Sequence, residues 1–186
     1  MKRVVIGLAL FSLSGCGFGY NRIQTYDEDI NAFKSQIEVQ LQRRSDLIPN
    51  LVATVRGFAD QEEEVFTSIA EARSRLGGAI QSGSLGQMAE ANQSLTQGLG
   101  RLLVISEAYP ELRSNQNFME LQVQLEGTEN RIATARQDYN DAVRTYNGFI
   151  RRFPQVLTAK ATDAEAREYF EVTSADARNA PTVDFN

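Results

Sequence analysis

From Ile23 onward, apolar residues recur at steps of three and four, and this periodicity constrains the fold more than any other feature. Ile23, Tyr26, Ile30, Phe33, Ile37 and Leu41 open the series, and Ile48, Leu51, Val52, Val55, Phe58, Val65, Ile69 and Leu76 extend it. A third stripe holds Leu85, Met88, Leu95, Leu99, Leu102, Ile105 and Tyr109. The last holds Phe118, Leu125, Ile132, Tyr139, Tyr146 and Phe153. A period near 3.6 puts each set on one face of a helix, and nothing alternates with period two over a useful length. The expectation is an all-α chain without a sheet. Short connections between amphipathic helices further imply an antiparallel four-helix bundle with long helices and a short irregular C-terminal tail.

The boundaries rest on turn and cap residues. Gly77-Gly78 reads as a helix end, followed by a polar loop to Gly83. Ser84 with Gln87 forms a capping box for the next helix. Gly98 and Gly100 weaken that helix by roughly 1 kcal/mol each against alanine, or admit a close crossing. Pro110 stops it, and the longest helix runs from about Asn115 to Arg152, closed by Pro154. In the tail, Asp163 to Tyr169 has the pattern of a helical turn, and Ala180 to Phe185 reads as extended. Pro49 allows two readings. The chain breaks at Ser45-Asp46, with Asp46 as N-cap and Pro49 in a new first turn. Or one long helix passes through a kink, at ~3 kcal/mol for an interior proline.

The first residues follow a different plan. Lys2 and Arg3 precede an apolar run from Val4 to Leu13, then Ser14, Gly15 and Cys16. This is the three-part layout of a secretory signal, and the run is shorter than the ~20 apolar residues of a spanning helix. Leu13-Ser14-Gly15-Cys16 resembles the lipobox of bacterial lipoproteins, and Cys16 is the chain's single cysteine. The resemblance implies cleavage before Cys16, a thioether-linked diacylglycerol on it and usually a third acyl chain. Each buried methylene contributes about 0.8 kcal/mol, so two or three chains hold firmly. Glycine rather than aspartate at position 17 resembles outer-membrane sorting in Gram-negative bacteria, facing the periplasm. The expected organisation is a signal peptide at 1–15, a lipidated linker at 16–21, a helical bundle at 22–154 and a packed tail at 155–186.

Charge and chemistry exclude several functions. Without Lys2 and Arg3, 17 basic side chains face 24 acidic ones, a net charge of −7. That balance argues against nucleic acid and against electrostatic adhesion to anionic lipid, which leaves the anchoring to the lipid on Cys16. There is no histidine, and lipidation consumes the one thiol, which removes Ser-His, Cys-His and His-metal arrangements. The i, i+3 pair Glu126 and Glu129 lacks the histidine of the di-iron helical template. No cofactor, metal site or small-molecule substrate is expected.

The polar residues inside the stripes are the sharpest internal feature. A second heptad row, Leu121, Glu129, Arg136, Val143 and Ile150, carries charge in its middle, and Arg44 takes a stripe position on the first helix. A buried charge is costly unless paired. The expectation is a Glu129–Arg44 or Glu129–Arg136 ion pair that fixes helix register. The functional alternative is a polar groove formed by Arg44, Asn50, Glu129, Asn130, Arg136, Tyr139 and Asn140 that binds a partner. Tyr139 and Tyr146 are expected in the core with their hydroxyls at its rim.

Longer motifs carry a family resemblance. Gln40-Leu41-Gln42-Arg43-Arg44-Ser45-Asp46-Leu47-Ile48-Pro49-Asn50-Leu51-Val52 resembles the signature of LemA family proteins. So do Leu125-Glu126-Gly127-Thr128-Glu129-Asn130-Arg131-Ile132, Ala135-Arg136 and Asp138-Tyr139-Asn140. Tyr109-Pro110-Glu111-Leu112, Tyr146-Asn147, Phe153-Pro154, Tyr169-Phe170-Glu171 and Pro181-Thr182-Val183-Asp184-Phe185 complete it. The resemblance implies a four-helix antiparallel bundle on a short membrane anchor, which selects the break near Asp46. It implies no cofactor and no agreed activity; some members are associated with envelope processes, including magnetosome formation. Two departures stand out. A lipobox replaces the transmembrane helix of many members, and Lys160 to Arg167 lacks the residues usual before Tyr-Phe-Glu.

These readings converge on a non-enzymatic envelope lipoprotein that binds or scaffolds an envelope protein partner, tethered to the bilayer through Cys16. The alternatives are an assembly or remodelling factor that oligomerises through aromatics such as Phe18, Tyr20 and Phe66, and a hydrolase using Glu126 and Glu129.

Overall fold

The computed structural model describes residues 2–171, with side chains from Gly19 onward. Every regular element among them is helical: α1 (Lys2–Arg56), α2 (Glu63–Ser82), α3 (Leu85–Ala108), α4 (Pro110–Arg113), α5 (Gln116–Ile150) and α6 (Gln155–Ala161). No helix among the described residues is long and apolar enough to cross a membrane. Ala180 to Phe185 and the side chains of Cys16 and Phe18 lie outside the described residues.

The chain divides into two compact units. The first contains residues 1–36 and 135–169, so it takes the N-terminal part of α1, the C-terminal part of α5, and α6. Its core holds Ile23 and Ile30 from α1 with Tyr139, Val143, Tyr146 and Ile150 from α5, all buried. Tyr26 meets Phe149 edge-on, with ring centroids 5.3 Å apart. The second unit contains residues 37–134 together with Phe170 and Glu171. Ile37, Leu41, Ile48, Leu51 and Val55 of α1 are buried there, as are Phe66, Ile69 and Leu76 of α2, Met88, Leu95 and Leu102 of α3, and Phe118 and Ile132 of α5. The stripes read from the sequence therefore supply these cores, except at Phe153, the last residue of the fourth stripe, which is exposed.

Several boundaries differ from expectation. α1 is continuous through residues 16–21, where a linker is expected, and through Ser45-Asp46 and Pro49, where a break at Ser45-Asp46 is expected. Proline removes the N–H that would donate to the carbonyl four residues earlier, which is that of Ser45. Arg73 of α2 supplies the missing donor: its Nε lies 3.0 Å from the Ser45 oxygen. A partner from another helix thus repairs the ladder that Pro49 interrupts. The true end of α1 is at Arg56, where Phe58 and Ala59 both donate to the Val55 carbonyl.

Gly77-Gly78 does not end α2, which runs to Ser82 and closes on Gly83 at φ 68°. That left-handed conformation suits glycine and terminates the helix four residues beyond the expected stop. The capping box forms in part. Ser84 Oγ accepts from the Gln87 N–H at 3.4 Å, while the Gln87 side chain engages Ser82 instead of returning to Ser84. Gly98 proves to be a close-crossing residue, because a Cβ there would sit 2.9 Å from Ile69 Cγ1 of α2, whereas Gly100 faces open space. Asp163 to Tyr169 is not helical; the helical turn of the tail lies earlier, in α6.

Candidate functional site

Within the second unit, α1 delivers Arg44 to a buried position because its neighbours at Leu41 and Ile48 are core residues on the same face. The residue is 4% exposed. Its Nη1 donates to Asn92 Oδ1 of α3 at 2.6 Å and lies 2.5 Å from Glu129 Oε2 of α5. Burial pulls the guanidinium below its ordinary range, and the Glu129 charge opposes that pull. The Glu129 contact is a close ion pair, and Arg44 Nε, buried beside it, has no hydrogen-bond partner. The Glu129 side chain is 41% exposed, so water reaches one side of the pair.

Within the first unit, the non-helical chain after α6 is clasped by α5. Asn147 reads the backbone of Arg167 with both ends of its amide: Nδ2 donates to the Arg167 carbonyl at 2.9 Å, and Oδ1 accepts from the Arg167 N–H at 2.8 Å. Tyr139 donates its hydroxyl to the Glu168 carbonyl at 2.9 Å. Arg167 in turn donates through Nε and Nη2 to Asp27 Oδ1 of α1, at 2.9 and 2.6 Å. That bond holds the Arg167 guanidinium above its ordinary range. Burial raises the Tyr139 and Tyr146 hydroxyls, so both stay protonated at neutral pH. Between clasp and helices lies a polar cleft of about 360 Å³, lined by Ile23, Asp27, Tyr146 and residues 162–167 among others.

Of the residues singled out in the sequence, the structure brings Arg44 and Glu129 together, one of the two expected pairings. Asn50 and Asn130 are exposed. Arg136 and Asn140 are half-buried and belong, with buried Tyr139, to the first unit, whereas Arg44, Asn50, Glu129 and Asn130 belong to the second. Phe66, expected as an exposed aromatic, is 2% exposed, with the Arg56 guanidinium 4.8 Å above its ring. Tyr20 is exposed as expected. Glu126 is exposed, and neither it nor Glu129 lines any of three described clefts. No group of three or more potential metal ligands occurs among the described residues.

Four functional side chains escaped the sequence reading. Asn92 stands four residues after Met88 and three before Leu95, so the stripe itself marks it as buried. Asn147 follows buried Tyr146 but bonds chain that is distant in sequence, as do Arg73 and Arg167. No local pattern identifies those partners.

The profile of the LemA family matches residues 33–185. Among curated proteins, the chain is 31% identical over 175 residues to magnetosome protein MamQ 1 and to magnetosome protein MamQ 2 of Paramagnetospirillum magneticum strain AMB-1. Each match covers 82% of this chain and 64% of the relative. Magnetosome protein MamQ of Magnetospirillum gryphiswaldense is 30% identical over 174 residues, covering 81% and 64%. The chain thus spans a little under two thirds of the length of these relatives.

Proposed function

The chain belongs to the LemA family, and from that premise we propose that it is a non-enzymatic, membrane-tethered module of the bacterial envelope that binds or scaffolds a protein partner. The observation that carries this reading is how its charged groups are used. Arg44 is engaged by Asn92 and Glu129, and Arg167 by Asp27 and the Asn147 clasp. These contacts hold helices and tail in place, and none joins a nucleophile to a base. The Glu126 and Glu129 hydrolase is disfavoured, because Glu129 is directed at Arg44 and Glu126 faces solvent.

The tether is proposed at Cys16, after cleavage of residues 1–15, on the strength of the basic start, the apolar run and the lipobox-like Leu13–Cys16. In a Gram-negative host, Gly17 favours the outer membrane, facing the periplasm. For the second unit, an antiparallel four-helix arrangement is proposed. It is supported by the bonds that link α1 to α3, α5 and α2 through Arg44 and Ser45. A second reading, an assembly factor acting by oligomerisation, rests on exposed aromatics such as Tyr20. It loses one of its proposed aromatics, because Phe66 is buried.

The test is cross-linking in native membranes, affinity capture of the chain, and mass spectrometry of both the partners and the N-terminal peptide. A specific envelope protein and an acylated Cys16 are expected. An unmodified Cys16 removes the tether, and capture of the chain alone favours self-assembly.

A further inference from the structure

The chain carries a net charge of −5, but that charge is unevenly spread. No acidic residue occurs from Ala142 to Thr162, a stretch that holds Arg144, Arg151, Arg152 and Lys160. None occurs in α1 before Asp27, where Arg22 lies. The first unit brings these two acid-free stretches together. α6 packs on α1 so closely that a Cβ on Gly19 would lie 3.0 Å from Thr158 Oγ1.

The same short segment exposes apolar side chains. Phe153 is 81% exposed, the most of any large hydrophobic residue described, and Leu157, four residues on, is 60% exposed. Arg151, Arg152 and Lys160 around them are exposed, and among the described residues none of the three is ion-paired. Two other cations of this unit are matched, Arg167 by Asp27 and Arg144 by Asp141. An aromatic and a leucine within a rim of unpaired cations fit one surface in particular. At an anionic bilayer, arginine and lysine meet phosphates while the apolar side chains enter the acyl boundary. The position agrees. Gly19 follows Cys16 by three residues of helix, about 4.5 Å of rise.

We infer that the segment Arg151–Lys160 is a second membrane contact, docking the first unit on anionic phospholipid beside the tether. The inference deepens the tether reading and rests on it. Tethering supplies the high local concentration, and the patch sets how the unit lies on the bilayer. It also corrects the expectation drawn from net charge, because a basic patch acts within about a Debye length, whatever the distant sum. Each Lys or Arg near an anionic leaflet is worth about fivefold in local partitioning, so three amount to roughly 10²-fold.

The chain contains no tryptophan, so a single substitution gives a clean reporter. The full-length acylated protein carrying Phe153→Trp is placed on phosphatidylcholine vesicles with and without phosphatidylglycerol, some with brominated acyl chains. Vesicle flotation is followed in parallel. A Tyr169→Trp control sits near Tyr139, roughly 20 Å back along α5. The expected result is a blue shift and bromine quenching of the Phe153→Trp reporter only when phosphatidylglycerol is present, with the control unchanged. Adding Arg151→Gln, Arg152→Gln and Lys160→Gln returns the reporter to water while flotation persists.

A reporter that stays aqueous on floating protein overturns the patch and leaves the tether intact. Loss of flotation by the parent protein overturns both. A blue shift without bromine quenching, accompanied by self-association in sedimentation, assigns the patch to a second copy and overturns the inference.

Discussion

Replacing Arg73 by alanine tests how α1 survives Pro49. The Ser45 carbonyl is the acceptor that Pro49 leaves without a helical donor, Ser45 is buried, and Arg73 Nε reaches it at 3.0 Å. A hydrogen bond from a charged donor contributes about 1.5–3 kcal/mol, and the partly open setting of Arg73 places this one at the lower end. Arg73→Ala is therefore expected to cost about 1.5 kcal/mol, or roughly 3–6 °C in melting temperature for a chain of this size. Pro49→Ala restores the backbone donor and removes the steric penalty of ~3 kcal/mol for an interior proline, so it should stabilise. The diagnostic quantity is the coupling. In the Pro49→Ala background Ser45 has its own helical partner, and Arg73→Ala should then cost under about 0.5 kcal/mol. Urea titration of the four proteins, followed by helical circular dichroism, measures the cycle. Equal losses in both backgrounds would refute the argument that Arg73 repairs the proline gap.

Gly98→Ala and Gly100→Ala should have opposite signs. The first drives a Cβ to 2.9 Å from Ile69 and should lose about 1 kcal/mol net, while the second meets nothing and should gain about 0.5–1 kcal/mol by helix propensity; thermal melts decide. Asn147→Ala removes both amide bonds to Arg167, and limited proteolysis should show cleavage between residues 162 and 168 that the parent resists. Glu129→Ala leaves the buried Arg44 cation without its counter-charge. It should cost about 2–3 kcal/mol, less than a fully enclosed pair because Glu129 is 41% exposed. Replacing both Arg44 and Glu129 by leucine should recover most of that loss, and additive losses would contradict the pairing. Stability should also fall at alkaline pH. Tyr139 and Tyr146 have raised pKa values in the folded chain, so above the ordinary tyrosine value of about 10 the unfolded chain ionises first. The folded state then binds more protons than the unfolded state, and stability, full below that pH, declines above it. Denaturation midpoints that do not change between neutral and alkaline pH would count against two buried hydroxyls.

What the sequence determined by itself was what depends on near neighbours. Spacing by three and four residues identified the faces that become core at Ile30, Ile37, Leu51, Leu95 and Ile132, because helical periodicity is local. The same patterning marked Arg44 and Glu129 as charges needing partners, and Ser84 as an N-cap. Tertiary structure decided everything that turned on a residue far along the chain. Ser45-Asp46 ahead of Pro49 reads as a break, yet α1 continues there, with Arg73, 28 residues from Ser45, supplying a donor. Gly77-Gly78 reads as an end, yet α2 goes on to Gly83 because the flanking Leu76 and Ala79 are buried on the same helical face. Phe66 reads as free to associate, but it is covered by Arg56. The basic, apolar face at Phe153 is invisible in a net charge of −5 and emerges only where α6 meets Gly19. Local propensities differ by a kilocalorie or so per residue, and one long-range bond or buried side chain is worth as much, so tertiary contacts overturn the local preference at those points.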